Sequence, residues 1–362
     1  VKVNSGKLVV NGNYRIQTKK ATEDGTESYD YSTGILNMTN ESDVVEVSGD
    51  FVMGSTKSHN GKLSAGTLTV GGNFTQLRYN VYDNFAASGS HTTIFTSGES
   101  HAISFSSSSS GNSHFSNLIF EEESLITLKS ENNNQVVVIG ELTGTDCEVS
   151  GYINLTGTAK VNETYSGDVR ISEGYALNSN INISGNLDID STLNLNGNSF
   201  EIGGSVSING TLNVNKGTLN CTSNFTVNYY NGRIYMQNDE DTINIGGDFT
   251  FDGGYNLSYL TNGKLYICGN STISVNKFKA GSNHETIFNG DKKQIINVTN
   301  TYAGFGRITL NNTSEEGIEI TNPINYTELV NESGCKVTFA NGGTVGETLS
   351  ADKIVDGDYI LA

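Results

Sequence analysis

Proline occurs once in 362 residues, tryptophan never, and lysine plus arginine supply 21 side chains against 39 acidic ones. With so little proline, and glycine not at every third place, a collagen helix is excluded. The shortage of cations leaves a formal net charge of −18 at pH 7. Such a field repels phosphate backbones, so no nucleic-acid partner is expected. The densest basic stretches are the pairs Lys19–Lys20 and Lys292–Lys293, each with acids close by. No stretch approaches the roughly 20 apolar residues of a membrane helix, so no membrane insertion is expected of this segment. Val1–Val10 lacks a basic start followed by an apolar run, and the chain reads as a mature or excised segment. The four cysteines, Cys147, Cys221, Cys268 and Cys335, lie too far apart for a CxxC zinc or redox motif. They read as small buried thiols, and the sequence does not choose among the three possible disulfide pairings. No helical i, i+3, i+4 pattern of useful length occurs.

What is present is glycine, asparagine, serine and threonine among short apolar alternations. Glycine contributes 42 residues, about 12 % against a usual level of about 7 %. The hydrophobic set makes up 35 %, and adding glycine brings the apolar share to about 47 %, the range of folded proteins. The length suits two or three ordinary domains or one long repeat domain.

The alternations settle that choice. LVVNGNY (Leu8–Tyr14), VEVSGDF (Val45–Phe51), LTVGGNF (Leu68–Phe74), INISGNL (Ile181–Leu187), FEIGGSV (Phe200–Val206), INIGGDF (Ile243–Phe249) and LYICGNS (Leu265–Ser271) share one plan. Apolar residues at every second place mark a strand with one face buried, and glycine or asparagine then turns the chain. The apolar residue before the turn recurs after 23 residues (Val47, Val70), 19 (Ile183, Ile202) and 22 (Ile245, Ile267). That is the size of one coil of a parallel β-solenoid. The reading is all-β: a right-handed parallel β-helix of about 15 coils in a single continuous rod of about 70–80 Å, at about 4.8 Å per coil. Val, Ile, Leu and Phe ladders form its core. Asn73, Asn186 and Asn270 are placed at turns where amides could stack.

A longer repeat lies over the short one. GILNMTNESDVVEVSGDF (Gly34–Phe51) returns as GRIYMQNDEDTINIGGDF (Gly232–Phe249), and FAASGSHTTIF (Phe85–Phe95) as FKAGSNHETIF (Phe278–Phe288). HFSNLIF (His114–Phe120) aligns with GFGRITL (Gly304–Leu310), and ELTGTDC (Glu141–Cys147) with ELVNESGC (Glu328–Cys335). Residues 6–177 form a first copy, 178–216 extra coils rather than a linker, and 217–361 a second copy. Thr18–Thr33 reads as a long loop of the first copy, bridged in the second by Val227–Asn231. Ser104–Ser113 reads as a solvated low-complexity turn. Neither end reads as a cap, so a longer array is expected.

No catalytic constellation is visible. There is no Asp-Asp pair and no histidine between glycines, and HExxH, GxSxG and Walker motifs are missing. Asp188 and Asp190 share a strand face, and Arg170 is the nearest arginine; alternating Asp on a solenoid reads as a solvated face. His91 and His284 occupy matching turns of the two copies without another histidine near. No cofactor is expected, although Asp239, Glu240 and Asp241, mirrored by Glu41 and Asp43, are oxygen donors on one turn that could hold Ca²⁺. The Gly-Gly-x-Gly-x-Asp repeat of calcium-loaded β-rolls is absent, which favours a hydrated acidic turn. Tyr229, Tyr230, Tyr235, Tyr255 and Tyr259, with Tyr266, form the aromatic concentration that could stack on sugars or dock a protein.

The VGGNF-type turn unit and the FxASGxHxTIF segment resemble the β-helix repeat regions of large, adhesin-like bacterial cell-surface proteins, often found in Gram-positive anaerobes. The resemblance implies an extracellular, non-catalytic stalk or adhesive rod. Its implied partners are host or bacterial surface glycans or proteins, and neighbouring repeats of the same chain. A β-helix polysaccharide lyase or hydrolase, or a carbohydrate-binding solenoid, is the alternative, because this fold also hosts enzymes.

Overall fold

The computed structural model describes residues 1–21, 26–129, 135–228, 231–253, 259–300 and 302–339, and the backbone of 359–361. The described residues are all-β, without a helix, and their strands stack in parallel as a β-solenoid of about 13 turns. The chain forms two compact units: Val1–Arg170 with Ile181–Gly185, and Ile171–Asn180 with Asn186–Ala362.

In the first unit one parallel sheet stacks Lys7–Val10, Val44–Val47, Thr67–Val70, Thr92–Phe95, Asn117–Phe120, Glu141–Thr143 and Lys160–Val161. A second sheet stacks Tyr14–Lys20, Phe51–Met53, Phe74–Gln76, Ser100–Phe105, Leu125–Lys129 and Glu148–Ser150. Thr67–Val70 and Thr92–Phe95 keep the alternation read from the sequence and bury every second residue, whereas Phe51–Met53 buries all three. The register sets like on like. Leu8, Val45 and Leu68 lie in line, and Phe51 lies between Tyr14 and Phe74. Their rings stack at 5.6 Å (Tyr14 and Phe51) and 5.5 Å (Phe51 and Phe74). Phe85, Phe105 and Phe115 fill the space beside them at tilted or edge-on angles. Fully burying each such ring stabilises by about 1.5–3 kcal/mol.

The second unit repeats this plan. Thr242–Ile245, Lys264–Ile267, Glu285–Phe288, Arg307–Leu310 and Glu328–Asn331 follow one another in one sheet. Their counterparts Val44–Val47 through Glu141–Thr143 follow in the same order. Within the stretch 178–216 Leu187 pairs with Val206 and Thr192 with Thr211, both in parallel register.

Three expectations are corrected. The coils are less uniform than the sequence spacing implies. Positions bonded across successive coils are 37, 23 and 29 residues apart near the N-terminus and 19 near Asn186. Longer coils mean fewer of them, about 13 in place of about 15. The 37-residue coil contains the stretch expected to be a loop. Gln17–Lys20 instead pairs antiparallel with Ser28–Tyr31, because successive Thr, Lys, Tyr and Asp side chains can all face solvent in an edge hairpin. Finally, 104–113 is not simply a solvated turn. Ser107 and Ser113 are buried, and each bonds to a polar pair inside the coil. Ser107 N–H donates to Gln76 Oε1 (3.1 Å), Ser113 Oγ donates to Asn84 Oδ1 (3.3 Å), and Gln76 Nε2 donates to Asn84 Oδ1 (2.5 Å).

Candidate functional site

The acidic turns are structural anchors. Asp43 is fully buried; its Oδ1 accepts Ser5 N–H (2.5 Å) and its Oδ2 accepts Thr39 and Asn40 N–H (2.8 and 3.1 Å). Asp241, equally buried in the second copy, accepts Lys216 N–H (2.5 Å) on Oδ1, and Gln237 and Asn238 N–H (2.6 and 3.0 Å) on Oδ2. Burial raises the pKa of Asp43, but hydrogen bonds from Asn40, Ser5 and Thr39 outweigh it and hold the carboxyl below the usual aspartate value. Asp239 instead accepts Asn262 Nδ2 (2.7 Å), and Glu240 sits 3.9 Å from Lys216 Nζ. The calcium candidates are thus occupied separately. Among the described residues no group of three or more His, Cys, Asp or Glu side chains is disposed to hold a metal ion.

The asparagines do form ladders, in a form the sequence did not specify: the side-chain oxygen accepts a backbone N–H one coil on. Asn13 Oδ1 accepts Asp50 N–H, Asp50 Oδ1 accepts Asn73 N–H, and Asn73 Oδ1 accepts Ala102 N–H, at 2.7–2.9 Å. In the second unit Asn224 accepts from Asp248, Asp248 from Asn270, and Asn270 from Ile295, at 2.9, 2.7 and 2.8 Å. Asn186 likewise accepts from Ser205 at 2.8 Å.

Of the tyrosine candidates, Tyr229, Tyr230 and Tyr255 lie outside the described residues. Tyr235 and Tyr259 are paired across adjacent coils with rings stacked at 5.0 Å, and Tyr259 is exposed. His91 and His284 are buried, and neither ring nitrogen of His91 has a partner among the described residues. Burial pushes His91 down to about 4. Burial also lowers His284, although Asn262 O accepts from its Nδ1 at 2.9 Å. All four cysteines are free thiols, and burial raises Cys147, Cys221 and Cys268.

One surface cleft was not singled out by the sequence. On the outer face of the first unit, the paired strands Tyr14–Lys20 and Ser28–Tyr31 line a cleft of about 500 Å³. Its floor is one register row: Arg15 pairs with Val52, Val52 with Thr75, Thr75 with Ser104, and Ser104 with Lys129. Tyr29 forms a wall, with the Arg15 guanidinium 4.9 Å from its ring centre. The Tyr29 hydroxyl donates to Glu27 at 2.6 Å, and Lys19 donates to the same carboxylate. The bond from Lys19 first, then that from Tyr29, lowers the pKa of Glu27. Beside the cleft the Tyr31 hydroxyl donates to Arg78 O (2.9 Å), the Tyr31 and Tyr79 rings lie 5.0 Å apart, and Arg78 covers Tyr82 at 4.7 Å. The available signal was comparative. The hairpin and the 77–84 loop are both longer than their second-copy counterparts, the short 227–231 bridge and residues 274–277. These two first-copy expansions meet in space.

Fold and surface together define a parallel β-solenoid, internally duplicated, with a cleft on its first unit. No family model, curated protein or solved structure matches the chain.

Proposed function

We propose that the chain is a non-catalytic structural and adhesive segment of a bacterial cell-surface protein, displayed outside the cell. The observation that carries this reading is the ladder of Asn and Asp side chains, which bonds four successive turns together in each unit. Polar groups at the turns hold neighbouring coils together, as suits a load-bearing repeat. The buried carboxylates Asp43 and Asp241 likewise serve backbone N–H groups. The resemblance of the turn units to surface-protein repeats supports the location.

The test is turnover of a polysaccharide panel by the purified chain, read as reducing or unsaturated ends, together with antibody labelling of intact source cells. No product and surface labelling are expected. Product release abolished by Asp188→Asn with Asp190→Asn would overturn the non-catalytic reading in favour of a lyase or hydrolase.

A further inference from the structure

The floor of the first-unit cleft has a form that points to a ligand. Five side chains, Arg15, Val52, Thr75, Ser104 and Lys129, stand at one register on five successive strands, Val52 being buried and the other four reaching solvent. Four steps of about 4.8 Å make this row about 19 Å long. A cation stands at each end and the middle is small; the two carboxylates on the walls are already engaged, Glu27 by Lys19 and Tyr29 and by attraction to Arg15, and Asp50 by Asn73. Neither Arg15 nor Lys129 makes an ion pair among the described residues, in a chain whose net charge is −18. By contrast Lys7, Lys19 and Lys20 of the same unit each pair with an acid. The Tyr29 wall supplies an aromatic surface, and Asn73 on the flanking row adds a planar amide.

From this geometry we propose that the cleft binds an acidic oligosaccharide of three or four rings, laid across the strands along the Arg15-to-Lys129 row. The strand spacing is close to the length of one pyranose ring, so successive sugars pass over buried Val52 and meet Thr75 and Ser104 in turn. Sugar carboxylates reach the guanidinium and ammonium at the two ends, where charge-assisted bonds are strongest. The volume of about 500 Å³ lies within the usual range of about 300–1,000 Å³ for ligand sites. The expansions that build the cleft are confined to the first copy. The inference rests on the adhesive reading and names its partner.

The experiment is calorimetric titration of the full chain with uronate trimers and tetramers, and with neutral oligosaccharides of equal length. Binding of the acidic series, weakened by salt, is expected. Arg15→Gln and Lys129→Gln should each raise Kd about tenfold, and Ser104→Tyr should block the floor. Circular dichroism confirms the fold of each variant, and Tyr302→Ala at an exposed aromatic of the second unit should leave binding unchanged. Failure of the acidic series to bind, equal binding of the neutral series, or full binding by all three cleft variants overturns the proposal. Acidic sugar bound with the cleft variants unaffected would leave the adhesive reading standing without this site. Bound sugar that is then cleaved would leave the site standing and sink the non-catalytic reading.

Discussion

Asp43 and Asp241 illustrate how a charge becomes part of a backbone. Each is enclosed at the end of a turn, and its carboxylate oxygens accept N–H groups that would otherwise be unpaired. Removing the carboxylate leaves those donors buried without partners, at about 1–3 kcal/mol. Asp43→Ala and Asp241→Ala should therefore each lower the urea midpoint, whereas Asp239→Ala on the exposed side of the same turn should barely move it. The same turn constrains a glycine. Gly66 and Gly263 adopt φ of +82° and +77°, and a Cβ at either would lie 2.5 Å from the carbonyl oxygen of Asp43 or Asp241. Gly263→Ala should cost more than about 1 kcal/mol through both strain and crowding. Gly111→Ala, with open space and no positive φ, should be nearly silent in the same unfolding assay.

At the scale of strands and turns, stability comes from repetition of modest contacts. Asn73 joins two coils: its Oδ1 accepts Ala102 N–H while its own N–H and Nδ2 donate to Asp50 Oδ1. Asn73→Ala should cost about 0.5–1.5 kcal/mol for each bond lost. Phe74→Ala, which opens a cavity among Phe51, Phe85, Phe105 and Phe115, should cost about 3–5 kcal/mol. Chemical denaturation ranks the two, and a larger loss at Asn73 would make the ladder rather than the core the main tie. These elements were legible because alternating Val, Ile, Leu and Phe must share one buried face, and Gly or Asn must turn the chain. The hairpin was not, because Gln17–Lys20 and Ser28–Tyr31 pair with each other and bury little. Nor was the cleft: its floor residues are aligned by coils 37, 23 and 29 residues long, and such uneven spacing hides a register row. Nor was the burial of Asp241 legible on a turn expected to be hydrated, because sequence shows a residue's charge but not which way its turn faces.

The pH dependence of folding is a property of the whole molecule, set by the protons that the unfolded chain binds and the folded chain refuses. His91 is buried without a partner for either nitrogen among the described residues, and its pKa falls to about 4 from an ordinary value of about 6.5. Between those values the unfolded chain is protonated at this site and the folded chain is not. Stability therefore falls as pH drops through about 6.5 and stops falling from this source near 4, a total of about 3 kcal/mol. His284, lowered by the same burial, adds to the loss in the same direction. Asp43 acts in a lower window. Its folded pKa is depressed, so its contribution is present above the unfolded value of about 3.9 and disappears as pH falls through the folded one. The chain should thus weaken in two stages on acidification, histidine first. Urea midpoints measured at pH 7, 5 and 4 should decline in the native sequence. In His91→Leu, which replaces an unpartnered polar ring with an apolar side chain, the decline between pH 7 and 4 should be shallower. An unchanged slope in that variant would mean that His91 takes up its proton in the folded state, and the burial argument for this ring would fail.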